Sequence, residues 1–274
     1  MTGAEQFYTP LALANELTQL TLQHIPDWQQ RGFLEPAAGT GSFLEALANH
    51  GVQSITAIDK DPKHPGVSKN DYLDLVPAGE HLVTITNPPY GRNNALSIPF
   101  FNHAASHSDF IAFLVPRSWR KWSVQNRLDR SFHLLLDQDV FVSYEDENGE
   151  LIRTKNALRT CFQIWRREET MRELVSVPDN RLVAKCGPEE ADLAIRVFGF
   201  GCGSVLFDFP RKPNTTLMFL RIMDPRVRNL IAMLDYQRFT RNTAYTEALA
   251  FSELNFLLNE AIFGDGMHRL ESSR

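Results

Sequence analysis

Apolar positions along the 274-residue chain fall into two alternating rhythms, short unbroken runs and helical spacing, which predicts strands alternating with helices. The runs near 32–36, 54–59, 82–87 and 110–115 read as buried strands, and the segments near 42–50, 95–107 and 120–129 read as helices between them. That order implies βα units and a mostly parallel sheet. Ahead of them, Thr9-Pro10 reads as an N-cap and a first-turn proline for a helix carrying Leu11, Leu13, Leu17, Leu20 and Leu22. After them, 132–136 reads as a strand, and 140–144 with 157–165 as a hairpin around 147–150. A polar stretch with Pro178 marks a boundary, giving domains 1–172 and 173–274. In the second, 191–205 reads as strands joined by a glycine turn, 217–223 as a strand, and 225–235 and 252–263 as amphipathic helices. The fold class expected is α/β with a small C-terminal α+β extension.

Two strand ends carry chemistry. The run 82–86 stops at Asn87-Pro88-Pro89-Tyr90, where two prolines remove backbone donors and fix φ. An amide side chain, free carbonyls and an aromatic ring are left at the carboxyl edge of the sheet, where α/β folds place their ligands. Such groups suit a planar nitrogen nucleophile: acceptors for its N–H bonds and a ring to stack on. The bland alternative is a Pro-Pro loop whose tyrosine covers the core. The strand ending at Glu35-Pro36 is followed by Ala37-Ala38-Gly39-Thr40-Gly41 and a helix for which Ser42 is a candidate N-cap. Gly39 and Gly41 permit a sharp turn and close approach of a ligand. No Gly-Lys-Ser/Thr follows, and Leu44 stands where a dinucleotide fingerprint has its third glycine. About 20 residues on, 55–59 ends in Asp59, an acid placed to accept ribose hydroxyls. Asp71-Tyr72 adds a second acid before the Asn87 strand. In this order the residues point to an adenosine-containing ligand without a pyrophosphate.

Phe7-Tyr8-Thr9-Pro10, the segment Glu35 to Phe43, Asp59, Asp71 and Asn87-Pro88-Pro89-Tyr90 together resemble the S-adenosylmethionine-dependent DNA amino-methyltransferases, specifically the gamma-order, Taq-type adenine-N6 group. The resemblance covers residues 5–167 and rests on several motifs in the right order. It implies a Rossmann-like class I methyltransferase fold, a mostly parallel seven-stranded sheet closed by an antiparallel hairpin. It implies that Phe7, Tyr8, Thr9 and Pro10 lid the methionine end of the cofactor, and that Glu35, Pro36, Ala37, Gly39 and Gly41 lie under its methionine and ribose. Asp59 then holds the ribose, Asp71 the adenine amino group beside Tyr72, Ile58 or Lys60 flanks the adenine ring, and Phe110 covers it. Asn87, Pro88, Pro89 and Tyr90 form the catalytic set. Asn87 and the Pro88 carbonyl accept both N–H bonds of a flipped base, favouring a nitrogen with a localised lone pair. Tyr90 stacks on that base for in-line attack on the sulfonium methyl. No metal is required. An aromatic on the last hairpin sandwiches the base in the family, and Phe162 is the candidate, with a place in the core as its alternative.

The charge runs against a nucleic-acid partner: net −5 for the chain, with 43% hydrophobic residues. Its distribution is uneven, about −6 over 1–110, about +2 over 111–172 and about −1 beyond. The basic stretch holds Arg117, Arg120, Lys121, Arg127 and Arg130, interleaved with Trp119 and Trp122. It reads either as a loop tracking phosphates and stacking on bases, with Arg117, Arg120 and Lys121 as substrate-binding residues, or as a helix whose tryptophans pack inward. Cys161, Cys186 and Cys202 are too few and too widely spaced for a disulfide framework or a zinc site. The chain opens with no secretory pattern and has no apolar run near the ~18 residues of a membrane span, so a cytoplasmic location is expected. About 100 residues remain for target recognition, implying a short or relaxed recognition sequence. The extension could equally serve dimerisation. Two alternatives stand beside DNA adenine methylation: transfer to a planar nitrogen of RNA or to a protein glutamine amide, and a non-catalytic, methyltransferase-like subunit that binds nucleic acid.

Overall fold

Side chains alternate across each strand, so a strand buried on both faces reads as a continuous apolar run. In β5 (Ser108–Pro116), Phe110, Ala112 and Leu114 join one core while Ile111, Phe113 and Val115 join the other. The computed structural model describes residues 7–77, 79, 81–152 and 158–270. Its main sheet comprises β1 (Phe33–Glu35), β2 (Ile55–Asp59), β3 (Ser68–Lys69), β4 (Leu82–Thr86), β5, β6 (Phe132–Val140) and β7 (Thr160–Arg167). The strands hydrogen-bond in the order β3-β2-β1-β4-β5-β7-β6. The first five are parallel, and β7 runs antiparallel to both β5 and β6. This is the Rossmann-like class I methyltransferase fold.

Helices α1 (Leu11–Gln23) and α2 (Ser42–Asn49) send Ala14, Leu17, Ala46 and Leu47 onto one face, against Phe33, Val83 and Ile85. Helix α3 (Ser97–Ala104) covers the other face with Ile98 and Phe101, packed among Leu34, Phe113, Trp119 and Phe132. Each such apolar side chain contributes about 1.5–3 kcal/mol when fully buried. The strand order reverses between β1 and β4, and the crevice beyond their carboxyl ends is where an open α/β sheet binds its ligand. Glu35-Pro36 and Asn87-Pro88 stand at those two ends.

Several local expectations change. Residues 140–144 are not a strand of the hairpin. Instead β6 runs from Phe132 to Val140, with Val140 opposite Thr160, and the chain then leaves the sheet. It does so because Tyr8 offers a backbone partner: Tyr8 N donates to Glu145 O at 3.0 Å and Glu145 N to Tyr8 O at 3.1 Å. The turn follows, with the Asp146 carboxylate accepting from Asn148 N and Glu150 N. Ala157, where the return strand was expected to start, lies outside the described residues. Gly41, with φ +85°, occupies the α2 N-cap in place of Ser42, which is already helical. Pro10 precedes the first turn of α1, and no side chain caps that helix. The expected helix at 120–129 shrinks to Trp122–Gln125.

The chain divides into two compact units, Met1–Trp119 with Ser123–Glu173, and Arg120–Trp122 with Leu174–Arg274. The second unit holds β8 (Val183–Lys185), β9 (Leu193–Arg196), β10 (Val205–Leu206) and β11 (Leu217–Ile222), antiparallel in the order β10-β9-β11-β8. Leu193, Ile195 and Leu220 pack with Leu254, Leu257 and Leu258 from the helix Phe251–Phe263.

Candidate active site

A cavity of about 930 Å³ opens at the carboxyl ends of β1 and β4, wholly within the first unit. Pro36, Ala37 and Gly39 line it from the turn after β1, and Asp59 and Lys60 from the end of β2. Asp71 and Tyr72 line it from the turn before β4, and Asn87, Pro88, Pro89 and Tyr90 from the turn after it. Phe7, Tyr8 and Thr9 close another side. Positions from Pro36 to Tyr90 therefore share one edge, because parallel strands bring their carboxyl ends together.

The glycine turn is shaped by its neighbours. Gly39 has φ +47°, and a Cβ there would meet the Tyr8 ring at 2.5 Å. Its N–H donates to Asp59 Oδ2 at 2.8 Å, while Asp61 N donates to Asp59 Oδ1 at 2.8 Å. These two bonds fix the Asp59 carboxylate at the cavity edge. Asp71 is held below the usual carboxylate range by Lys60, whose ammonium lies 2.7 Å away. Burial raises both the Tyr8 and the Tyr72 hydroxyls.

Glu35 does not line the cavity. It is 1% exposed, and burial pushes it up to about 8 against the opposing pull of the Thr86 hydroxyl and the Ala37 N–H at 3.3 Å. It is thus mostly protonated at pH 7, facing the buried Thr86 hydroxyl. Thr9 Oγ1, buried on the cavity wall, is without a hydrogen-bond partner among the described residues.

At the catalytic turn, Asn87 Nδ2 donates to Phe7 O at 3.1 Å, and Asn87 Oδ1 accepts the Tyr90 hydroxyl at 2.6 Å. The Tyr90 and Tyr144 hydroxyls are 2.8 Å apart, and the Tyr144 ring lies 5.1 Å from Phe7. Tyr144 was not singled out from the sequence. It lies 54 positions from Tyr90 in a segment that reads as an ordinary strand, so no spacing marks it. Phe43, the last residue of the Glu35-to-Phe43 segment, also lines the cavity, as do Leu96 and Phe100, which no motif signals.

Other expectations are corrected. Phe162 is fully buried among Leu114, Ile164 and Phe110, so its ring faces no ligand. Phe110 is itself buried beneath the Arg31 guanidinium, and Phe100 lines the cavity instead. Ile58 packs in the core, leaving Lys60 at the rim. Pro10 and Gly41 stand beside the lining, not in it. Two charges of the basic loop are paired within the chain. Arg117 pairs with Asp139 at 2.7 Å, and Lys121 with Glu253 at 2.8 Å. Arg120 belongs to the second unit, and the cavity to the first. Trp119 is fully buried and donates to Ser97 Oγ, and Trp122 packs between Phe239 and Phe256. The tryptophans pack inward.

Among the described residues no group of three or more His, Cys, Asp or Glu could hold a metal, and no helix is long and apolar enough to cross a membrane. No protein-family model matches the sequence, and no curated protein matches it. Solved structures give distant likenesses. One is a candidate RNA methyltransferase from Pyrococcus horikoshii, 15% identical, covering 60% of this chain and 88% of that one at a TM-score of 0.48. A candidate class I S-adenosylmethionine-dependent methyltransferase from Listeria monocytogenes is 16% identical, with 66% and 65% covered at 0.44. TrmN from Thermus thermophilus is 17% identical, with 58% and 49% covered at 0.42. At such distances, the chemistry has to be read from this chain's own residues.

Proposed function

We propose that the chain is an S-adenosylmethionine-dependent N-methyltransferase whose acceptor is the exocyclic N6 amine of adenine in DNA. The observation that carries this reading is that Asn87-Pro88-Pro89-Tyr90 shares one cavity with the Gly39 turn, Asp59, Asp71 and the Phe7–Thr9 segment. The residues fit the cofactor. Gly39 leaves no room for a side chain, two acids stand at the rim, Tyr72 and Phe100 supply flat apolar wall, and the buried Thr9 Oγ1 on the lining has no partner among the described residues. When bound, S-adenosylmethionine supplies an electrophilic methyl group.

The chain's own residues do the rest. Asp59 holds ribose hydroxyls and Asp71 the adenine amino group. Asn87 Oδ1 accepts the Tyr90 hydroxyl while Nδ2 is engaged by Phe7 O, and its second lone pair is left for the substrate. That lone pair takes an N–H of the acceptor base, and the Pro88 carbonyl takes the other N–H. These acceptors gain most as positive charge develops on nitrogen, which is stabilisation of the transition state. Tyr90 stacks on the base, which must leave the duplex to enter.

A second reading keeps the chemistry and changes the acceptor to RNA or a protein amide. The neutralisation of Arg117 and Lys121 favours the protein amide, because the loop expected to track nucleic-acid phosphates spends these charges on Asp139 and Glu253. Labelled-methyl transfer with duplex DNA, single-stranded DNA, RNA and cell proteins in parallel separates the readings. Label in DNA, lost in Asn87→Ala, is expected. Label only in RNA or protein moves the assignment to the second reading, and no transfer with no cofactor binding overturns both.

A further inference from the structure

The hydrogen bonds at the catalytic turn have a direction, and that direction singles out a residue. Asn87 Oδ1 can only accept, so the one proton of the Tyr90 hydroxyl is committed to it at 2.6 Å. The contact between the Tyr90 and Tyr144 hydroxyls, at 2.8 Å, then has to be a donation from Tyr144. At the other end, Asn87 Nδ2 donates to the Phe7 carbonyl at 3.1 Å. The result is a polarised chain running from the Tyr144 O–H through the Tyr90 O–H to the Asn87 amide and on to Phe7 O.

From this geometry we propose that Tyr144 is a positioning residue for the reaction: its hydroxyl fixes the donor direction of Tyr90 and thereby, together with the Phe7 carbonyl, keeps the Asn87 amide with oxygen, not nitrogen, toward the acceptor. The inference rests on the reading of Asn87 as the group that accepts the substrate N–H. An asparagine amide is nearly symmetric in shape, and only its partners decide which end is which. The Phe7 carbonyl holds Nδ2 on one side and the Tyr90 proton holds Oδ1 on the other; without a donor of its own the Tyr90 hydroxyl can turn its proton away, and the amide orientation then rests on Phe7 O alone. A flipped amide would point N–H groups at the incoming amine and repel it.

The supports of Tyr144 fit that task. It is 5% exposed, its ring lies 5.1 Å from Phe7, and the next residue, Glu145, is bound to Tyr8 by two backbone hydrogen bonds. Two residues further on, Glu147 reaches Lys63 at 3.0 Å, and Lys63 also pairs with Asp61. The hydroxyl is thereby carried on a segment tied to two walls of the cavity. A hydrogen bond inside such a network also polarises its neighbours, so the three bonds act as a unit.

Tyr144→Phe removes the hydroxyl and keeps the ring. In the full chain we expect kcat to fall by about tenfold or more, with cofactor affinity by calorimetry and the thermal midpoint unchanged. Tyr144→Ala is expected to disturb cofactor affinity as well, through lost packing on Phe7. A second readout does not need turnover: in nitrogen-edited spectra the Asn87 side-chain amide should shift in Tyr144→Phe and stay put in a control, Tyr245→Phe. An unshifted amide in Tyr144→Phe overturns the proposal, as does wild-type kcat in an active enzyme. A wild type that transfers no methyl group, with the amide shift observed, refutes the methyltransferase reading and leaves the hydrogen-bond chain standing.

Discussion

Glu35 carries the most unusual charge state in the first unit. Its folded pKa of about 8 lies well above the ordinary carboxylate value near 4.3, so between those values the folded chain keeps a proton that the unfolded chain has released. Stability therefore falls as pH rises through that window, with a limiting slope of about 1.4 kcal/mol per pH unit for one proton. Glu35→Gln is expected to flatten that slope and raise the thermal midpoint at pH 8, as read by denaturation at several pH values. A midpoint that falls equally at pH 5 and pH 8 would contradict it. His107 works in the opposite sense. Burial, then His103 and Arg167, push it down to about 4, so its contribution is full above about 6.5 and lost as pH falls toward 4. Glu35 was legible as a motif residue, but its neutrality was not, because burial is a property of the whole fold.

At the scale of elements, the parallel strands were legible because each is an apolar run closed by a distinctive terminus. Pro36 ends β1, Asp59 ends β2 and Asn87-Pro88 ends β4. The last hairpin was harder. Leu134, Leu135 and Leu136 continue into polar Asp137, Gln138 and Asp139, yet all pair with or flank β7 as one edge strand. Period and polarity mark such a strand weakly, since its register comes from the partner. This is also why the sequence leaves Phe162 open between the base and the core: one residue of register decides which face a side chain takes. Phe162→Ala is expected to destabilise the first unit by about 3–5 kcal/mol, the usual result of opening a cavity in a packed core. The ratio of DNA to RNA transfer should be unchanged. A large change in that ratio with normal stability would restore Phe162 to the acceptor site.

For the whole molecule, the basic loop shows how far charge counting reaches. Lys121 looks like a phosphate contact in sequence, and instead it neutralises Glu253, which is 3% exposed and also accepts the Ala250 N–H. Removing one partner of a buried pair leaves an uncompensated charge. Lys121→Met is expected to lower the stability of the second unit by about 3 kcal/mol, measured by denaturant unfolding, while nucleic-acid affinity and its salt dependence stay within error. A shallower salt slope with unchanged stability would return Lys121 to the substrate side. The division of the chain likewise places Arg120–Trp122 with the second unit, a segment that the sequence order assigns to the first.

The sequence by itself determined the α/β order, the strand ends that carry chemistry, and the residues that resemble a methyl-transfer site, because each is encoded within a few neighbouring positions. The tertiary structure alone decided that Phe162, Phe110 and Trp119 belong to the core, that Lys121 belongs to Glu253, and that Tyr144 meets Tyr90. Those outcomes depend on contacts between residues tens of positions apart, where geometry selects the partner and local pattern carries no record of it.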